Sequence, residues 1–447
     1  MALTALEIYK HLPKKNCNEC GVPTCLAFAM ALANMKANLE KCPYVSEESK
    51  KTLSSSAAPP IRLVKIGKGD VEVTLGDEVV LHRHEKTFYH PTAFAGLVKD
   101  TTPHAEIEQY VKKANELRFE RVGQLLKLDL LAVKCKSNDA GKFVDAIKLI
   151  NAHNKLPLVL ICDNPDIMAE ALNACGSGKP LVHAANAQNY EKMAKLAKEN
   201  ACPLAVHDDR SLDELAALAG KVKALGVEDI VLDFGHKPLG KTIENLTIIR
   251  RLAIKKGYRP LGYPVISVFE DRPGDEVAWG AIATMKYGSA VVFEDISPSK
   301  LYPLMTLRQN IYTDPQKPIQ VKPGLYEINT GHSQESPVLV TTNFSLTYFT
   351  VAGDIEKSKV PSYLLVADTE GLSVLTSFAA GKFTPELVVK YMNEFGLNDK
   401  VKHRKIIIPG MVARMSAKLK ELSTWEVIVG PRDSSGIPSY LKNLPKL

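Results

Sequence analysis

No stretch of this 447-residue chain is apolar for long enough to span a bilayer. Its first residues, Met1-Ala2-Leu3-Thr4-Ala5-Leu6, have neither a basic region nor a long apolar core, so a secretory leader is not expected. The expected compartment is the cytoplasm, where thiols stay unoxidised. An arginine-rich or aromatic–basic run is missing too. The net charge of +7 is spread through mixed segments such as Glu116-Leu117-Arg118-Phe119-Glu120-Arg121, which argues against nucleic acid as a partner. A solvated basic surface, or a docking face for acidic partners, accounts for the surplus. With 45% hydrophobic and 24% charged residues the chain is an ordinary globular one. Its length predicts about three domains.

What stands out is a set of four cysteines, Cys17, Cys20, Cys25 and Cys42, in the pattern C-x2-C-x4-C-x16-C. A structural zinc site usually shows two C-x2-C pairs. A compact triple with one remote cysteine is instead the spacing of a [4Fe–4S] cluster, in which each sulfur binds a different iron. Zinc is the alternative on ligand type alone. Gly21 and Pro23 help turn the backbone between the thiols. Phe28, Leu32, Met35 and Leu39 recur at helical spacing, predicting a helix over 26–41 that returns Cys42 to the others. The remaining cysteines, Cys135, Cys162, Cys175 and Cys202, lie far apart in apolar contexts and read as buried thiols.

The segment Thr52 to Pro60 is small, polar and proline-terminated, and reads as a linker. Residues 61–82 predict paired strands around Gly67-Lys68-Gly69-Asp70 and Gly76-Asp77, a hairpin of the kind that plugs or caps a larger domain. Up to about residue 310, short apolar runs then alternate with amphipathic stretches. Strands are predicted at Phe88-Tyr89, 130–133, 158–161, 181–182, 204–206, 230–232, 265–268 and 291–293, with helices such as 190–198, 212–225 and 243–256 between them. Eight β-α units of that size predict a (β/α)8 TIM barrel. A proline-rich joint, Asp314-Pro315-Gln316-Lys317-Pro318, precedes four further strands (338–341, 363–367, 406–408, 427–429) that alternate with helices. That pattern predicts an open, doubly wound parallel sheet. The predicted domains are 1–57, 58–318 and 319–447.

In an open α/β sheet, ligands sit beyond the carboxyl ends of the strands. All four such loops here are polar or glycine-bearing. The candidate binding residues are Thr341, Thr342, Asn343 and Leu346; Thr369, Glu370, Gly371, Leu372 and Ser373; Gly410; and Gly430, Pro431 and Gly436. Glycines admit close backbone approach, while hydroxyls and free N–H groups bond amide or phosphate substituents. No GxGxxG and no GxxxxGK[ST] occurs in these loops, which disfavours dinucleotides and nucleoside triphosphates. The barrel strands also end in polar residues: Asp163-Asn164, Asn186, His207-Asp208-Asp209, Asp233 and Glu270-Asp271. Such residues equally cap the helices that follow, and His207 and His236 are expected to be structural.

The stretches Cys17-Asn18-Glu19-Cys20-Gly21-Val22-Pro23-Thr24-Cys25-Leu26-Ala27-Phe28-Ala29 and Thr341-Thr342-Asn343-Phe344-Ser345-Leu346-Thr347-Tyr348, together with the domain order, resemble the large (gamma) subunits of corrinoid iron–sulfur proteins. The likeness covers essentially the whole chain. It implies a [4Fe–4S] cluster on the four N-terminal cysteines and a cobamide in the last domain, with Thr342, Leu346, 370–373 and Gly436 around the corrin. It further implies a methyl carrier: Co(I) accepts a methyl group from a methyl-tetrahydropterin and delivers it to acetyl-CoA synthase, and the cluster re-reduces Co(II). The implied partners are a small barrel subunit, a pterin-dependent methyltransferase, acetyl-CoA synthase/CO dehydrogenase and an electron donor such as ferredoxin. The alternative is a cluster-bearing, pterin-dependent methyltransferase whose active site is the barrel. The Asp-x-His-x-x-Gly string that supplies a cobalt-binding histidine in many cobalamin enzymes is absent, and His332 and His403 are the only histidines of the last domain. A base-off corrinoid without a histidine ligand is therefore expected, since losing an axial donor eases reduction of the metal.

Overall fold

A computed structural model of the chain describes residues 5–33, 37, 39–46, 49, 59–270, 276–314 and 318–445. The predicted linker lies outside the described residues over 52–58, as does 315–317 of the proline-rich joint. The chain divides into two compact units, one of 1–118 with 127–312, the other of 119–126 with 313–447.

At the start of the first unit, helices Ala5–Lys10 and Cys25–Ala33 enclose a small core of Ile8, Leu12, Phe28, Leu32 and the buried Cys25 and Cys42. The single helix predicted over 26–41 is not what forms. The described helix ends at Ala33, Ala37 lies in a bend, and Leu39–Lys41 make one 3-10 turn. Thr24 begins the helix: its hydroxyl accepts a hydrogen bond from the Ala27 N–H at 3.0 Å.

The predicted hairpin is β1 (Val64–Ile66) paired antiparallel with β2 (Val73–Leu75). Val64, Ile66 and Leu75 are buried in one cluster with the inward residues of the barrel strands, such as Ala95, Leu130, Val159, Val231 and Val292. The hairpin therefore plugs the barrel. The first barrel strand is β3 (Ala93–Lys99), not Phe88-Tyr89. Phe88 is instead a buried side chain beneath the Arg250 guanidinium, 4.8 Å from its ring centroid. Alanine and glycine hide β3 from a propensity reading. Gly96 is required there, because a Cβ would lie 2.8 Å from the Tyr110 hydroxyl.

A two-stranded ribbon that the periodicity does not predict follows, β4 (Arg118–Arg121) with β5 (Gln124–Lys127). Then come β6 (Leu130–Lys134), β7 (Leu158–Ile161), β8 (Leu181–Ala185), β9 (Leu204–His207), β10 (Ile230–Asp233), β11 (Ile266–Phe269) and β12 (Ala290–Phe293). The eight parallel strands run in the order β10-β9-β8-β7-β6-β3-β12-β11. A bridge from Leu232 to Val265 closes the ring, with Leu232 N–H donating to Pro264 O at 2.7 Å. A helix follows each strand, among them Tyr190–Glu199, Leu212–Ala224 and Leu239–Lys256. Asn164 caps Pro165–Cys175 by accepting from the Asp166 N–H, so this polar residue at a strand end does serve the next helix.

The second unit is a five-stranded sheet: β13 (Gly324–Ile328), β14 (Val338–Thr342), β15 (Ser362–Ala367), β16 (Lys405–Ile408) and β17 (Glu426–Val429), in the order β13-β15-β14-β16-β17. The sheet is not wholly parallel, since β13 runs antiparallel to β15 at one edge. Helices Pro385–Glu394 and Ser416–Ser423 pack on one face through Val388, Met392 and Leu419. Helices Ser345–Ser358 and Ile437–Lys442 pack on the other through Ile355 and Leu441. Counting the parallel strands from β14, the order is 2-1-3-4, which places a topological switch between β14 and β16.

Candidate functional site

The four N-terminal cysteines are free thiols. Cys25 and Cys42 are buried in the module's core, Cys20 packs against that core, and Cys17 is half-buried. Asn16 Oδ1 accepts from the Cys25 N–H at 2.8 Å, fixing the loop that carries Cys17 and Cys20. Among the described residues no three His, Cys, Asp or Glu side chains converge tightly enough to hold a metal ion. The structure brings Cys20, Cys25 and Cys42 to one small core and leaves Cys17 in the loop before it.

In the second unit a cleft of about 470 Å3 opens at the switch point, beyond the carboxyl ends of β14 and β16. Of the residues expected there, Thr341, Leu346, Ser373, Gly430 and Pro431 line it. Thr342, Asn343, Thr369, Glu370, Gly371, Leu372, Gly410 and Gly436 do not. Their roles are visible in the loops themselves. Asn343 is buried, and its Oδ1 accepts from the N–H groups of Thr369 (2.9 Å) and Gly371 (3.0 Å) while its Nδ2 donates to Asp368 Oδ1 (2.9 Å). That side chain builds the 368–371 turn, in which Glu370 and Gly371 both have positive φ. Glu370 is exposed and pairs with Lys382.

The glycines serve close packing between loops. A Cβ on Gly410 would lie 2.6 Å from Gly430 O, and one on Gly430 would lie 2.8 Å from Ile407 Cγ2. Sequence reasoning missed Thr347, Thr350 and Leu375, which lie one helical turn or less beyond the loops and line the cleft with Met411 of the 409–411 loop. Leu346, Leu375 and Met411 are exposed, so the cleft presents apolar surface to solvent. Helical spacing from Leu346 would have found Thr350. The hydroxyl oxygens of Thr341 and Thr342 are buried without a hydrogen-bond partner.

His332 and His403 lie at the opposite, amino end of this sheet. His332 Nε2 bonds Ser362 O (3.2 Å) and His403 Nε2 bonds Ser336 O (3.0 Å), while His403 Nδ1 accepts from the Lys405 N–H. Both are committed to the backbone.

The barrel's carboxyl end holds a second polar arrangement. Asp233, buried at the end of β10, accepts through Oδ2 from His183 Nε2 (2.8 Å) and His207 Nδ1 (2.9 Å), and through Oδ1 from the Gly235 N–H (2.8 Å). Burial pushes the Asp233 pKa up, but the two imidazoles outweigh it and hold the carboxyl far below the usual range. The hydrogen bond to Asp233 raises His207 above an ordinary imidazole. His207 is thus part of a network that spacing did not reveal, because its partners lie 24 and 26 positions away in sequence. Nearby, burial pushes the Cys135 thiol up to about 12 and raises Cys162 as well, whose Sγ lies 3.6 Å from Asn164 O. Neither thiol is poised as a nucleophile.

The fold and sites define a multidomain α/β protein: a cysteine module, a plugged (β/α)8 barrel, and a mixed-sheet unit with an apolar cleft at its switch point. Residues 63–441 match the family model of the CO dehydrogenase/acetyl-CoA synthase delta subunit, and residues 12–44 match a model whose description names an Fe-S cluster. The corrinoid/iron-sulfur protein large subunit of Moorella thermoacetica is 49% identical over 443 residues, covering 99% of each chain. The acetyl-CoA decarbonylase/synthase complex subunit gamma of Methanothermobacter thermautotrophicus is 36% identical over 457 residues, again covering 99% of each. Dihydropteroate synthase from Thermus thermophilus aligns over 56% of this chain and 97% of its own, at 19% identity and a TM-score of 0.38. The chain belongs to the family of corrinoid/iron-sulfur protein large subunits, as the resemblance in its sequence implied.

Proposed function

We propose that this chain is a methyl carrier of acetyl-CoA formation, holding a corrinoid in the cleft of its second unit and a [4Fe–4S] cluster on Cys17, Cys20, Cys25 and Cys42. The observation that carries this reading is the cleft. It lies at the switch point of an open sheet, where such folds bind ligands, and its exposed Leu346, Leu375 and Met411 stand beside the hydroxyl-bearing Ser373, Thr347 and Thr350. That mixture fits a flat macrocycle fringed with amides: apolar side chains for its face, hydroxyls for its rim. When bound, the corrinoid supplies a cobalt centre that takes up and gives up a methyl group.

The chain's residues position that group. Asn343 fixes the 368–371 turn that leads to Ser373, and Gly410 and Gly430 let two loops close on one another. His332 and His403 are engaged at the far end of the strands, so neither is placed to reach a metal held in the cleft, in keeping with a base-off corrinoid. Cys25 and Cys42 in one small core, Cys20 packed against it and Cys17 three residues before Cys20 supply the all-thiol donor set that an iron–sulfur cluster takes. On this reading the cluster module takes electrons from a ferredoxin-like donor. The chain would pair with a small subunit, receive methyl groups from a pterin-dependent methyltransferase and pass them to acetyl-CoA synthase/CO dehydrogenase. The domain boundaries we propose for these roles are 1–57, 58–318 and 319–447.

Incubating the cobalt-loaded protein, reduced to Co(I) by a low-potential chemical reductant, with that methyltransferase and radiolabelled methyltetrahydrofolate should move label onto the protein, about one methyl per cobalt. Label that stays on the pterin contradicts the carrier reading. The His183–Asp233–His207 network favours a second reading, a pterin site in the barrel. Tight calorimetric binding of methyltetrahydrofolate to the isolated chain, lost on His207→Ala, would favour that one.

A further inference from the structure

The stretch that leads into the N-terminal cysteines carries Lys10, Lys14 and Lys15, and no acid lies between Glu7 and Glu19. Elsewhere the chain's surplus of positive charge is mixed with acids, as in 116–121; here it is unmixed. All three lysines are exposed. Two of them stand over aromatic rings. Lys15 Nζ lies 3.9 Å from the ring centroid of Tyr44, and Lys14 Nζ lies 5.4 Å from that of Tyr9. The Tyr44 hydroxyl also donates to Glu19 Oε1 at 2.7 Å, so this ring ties the lysine loop to the segment between Cys17 and Cys20. Lys14, Asn16 and Asn18 take left-handed backbone, which coils the loop instead of letting it extend.

An ammonium held over a ring keeps its charge but loses freedom, so it meets a partner already placed. Its position matters because Cys17 and Cys20 are half-buried where Cys25 and Cys42 are buried. A cluster on these thiols therefore comes nearest the surface on the side of this loop. We infer that Lys10, Lys14 and Lys15 form the docking surface for an acidic iron–sulfur electron carrier. One electron leaves the reduced carrier and enters the cluster. The carrier is oxidised by one, the cluster is reduced by one, and no bond or proton is exchanged. This rests on the [4Fe–4S] reading above and names the surface that its electron donor meets.

The test uses the full-length protein with its cluster, and an acidic two-cluster bacterial ferredoxin as the probe. Calorimetry at low salt should show Lys14→Glu/Lys15→Glu binding the ferredoxin about tenfold more weakly than the parent, the lower range of electrostatic focusing. The difference should shrink at about 0.5 M salt, where the screening length is roughly 4 Å. Cluster reduction by the ferredoxin should slow in the same proportion, while photoreduced deazaflavin, a small uncharged reductant, should reduce both proteins alike. Lys14→Gln/Lys15→Gln adds no acid and should show a smaller loss, which keeps the comparison if the reversed pair disturbs the module. Lys192→Glu/Lys195→Glu, exposed on the helix Tyr190–Glu199, changes the net charge equally and should bind like the parent. Unchanged ferredoxin binding in Lys14→Glu/Lys15→Glu would overturn the inference, as would an equal loss in Lys192→Glu/Lys195→Glu. A parent without iron–sulfur absorption would overturn the cluster reading itself, so the two failures are distinguishable.

Discussion

Asn343 sits at the end of β14 with its amide fully committed, accepting from the N–H groups of Thr369 and Gly371 and donating to Asp368. Asn343→Ala leaves two buried N–H groups without an acceptor and should cost about 2–4 kcal/mol, from the usual penalty per unsatisfied group. Urea denaturation measures the loss, and faster hydrogen exchange at 369–373 would localise it. The same residue shows where sequence reading stops. A polar residue at a strand's carboxyl end has one signature whether it binds a ligand or a neighbouring loop, and only the positions of Thr369 and Gly371 decide. The iron–sulfur module was legible from cysteine spacing, and residues 12–44 match a family model of that description. Asp233 is the opposite case, since its partners come from two other strands.

The signs of the shifts at Asp233 and His207 give a pH dependence. His207 is raised, so its contribution is complete below the unfolded imidazole value of about 6.5 and fades as pH rises through the folded value. Asp233 is lowered, so its contribution is complete above about 3.9 and fades as pH falls through the folded value. The network should therefore stabilise the barrel most between about pH 4 and 6.5. Comparing urea midpoints of the parent and Asp233→Asn across pH checks this. A stability difference between them that does not narrow above that window would contradict it.

Among the elements, the β1–β2 hairpin has the clearest energetic role. Leu75 is buried with Val64 and Ile66 against the barrel strands, so Leu75→Ala should cost about 2–5 kcal/mol. A loss under about 1 kcal/mol, typical of surface sites, would show that the plug is peripheral. Chemical denaturation decides between these. The hairpin was legible from alternating valines and leucines between glycine turns. So were the barrel strands from β6 onward, whose β-branched and leucine-rich runs are mostly buried. β3 was misplaced because its alanines and glycine carry little strand signal, and at Gly96 Tyr110 and Ile296 leave no room for a side chain. β13 was missed because it is a half-buried edge strand without a strong apolar pattern. The helix over 26–41 failed for a related reason: spacing marks residues that share a core but does not show that one helix carries them all.

At the scale of the molecule, the order of cysteine module, barrel and sheet was readable from cysteine spacing and from the change of apolar pattern near 320. The cleft was readable only as a location, the carboxyl edge of the second sheet. Its lining was not, because half of it comes from helix positions whose direction depends on packing. Replacing the donors tests the electron-transfer role. Cys42→Ser should lower the iron content and block reactivation of oxidised cobalt, while hydroxocobalamin binding stays unchanged because the cleft belongs to the other unit. Binding that falls together with iron would contradict that separation.

The central claim is that one chain carries both cofactors. It is tested most directly by the absorption spectrum, with cobalt and iron analysis, of the protein purified without oxygen together with its small subunit. Corrinoid and iron–sulfur bands are expected, with about one cobalt and four irons on this chain. A colourless protein, or one holding zinc in place of iron and no cobalt, would contradict that claim.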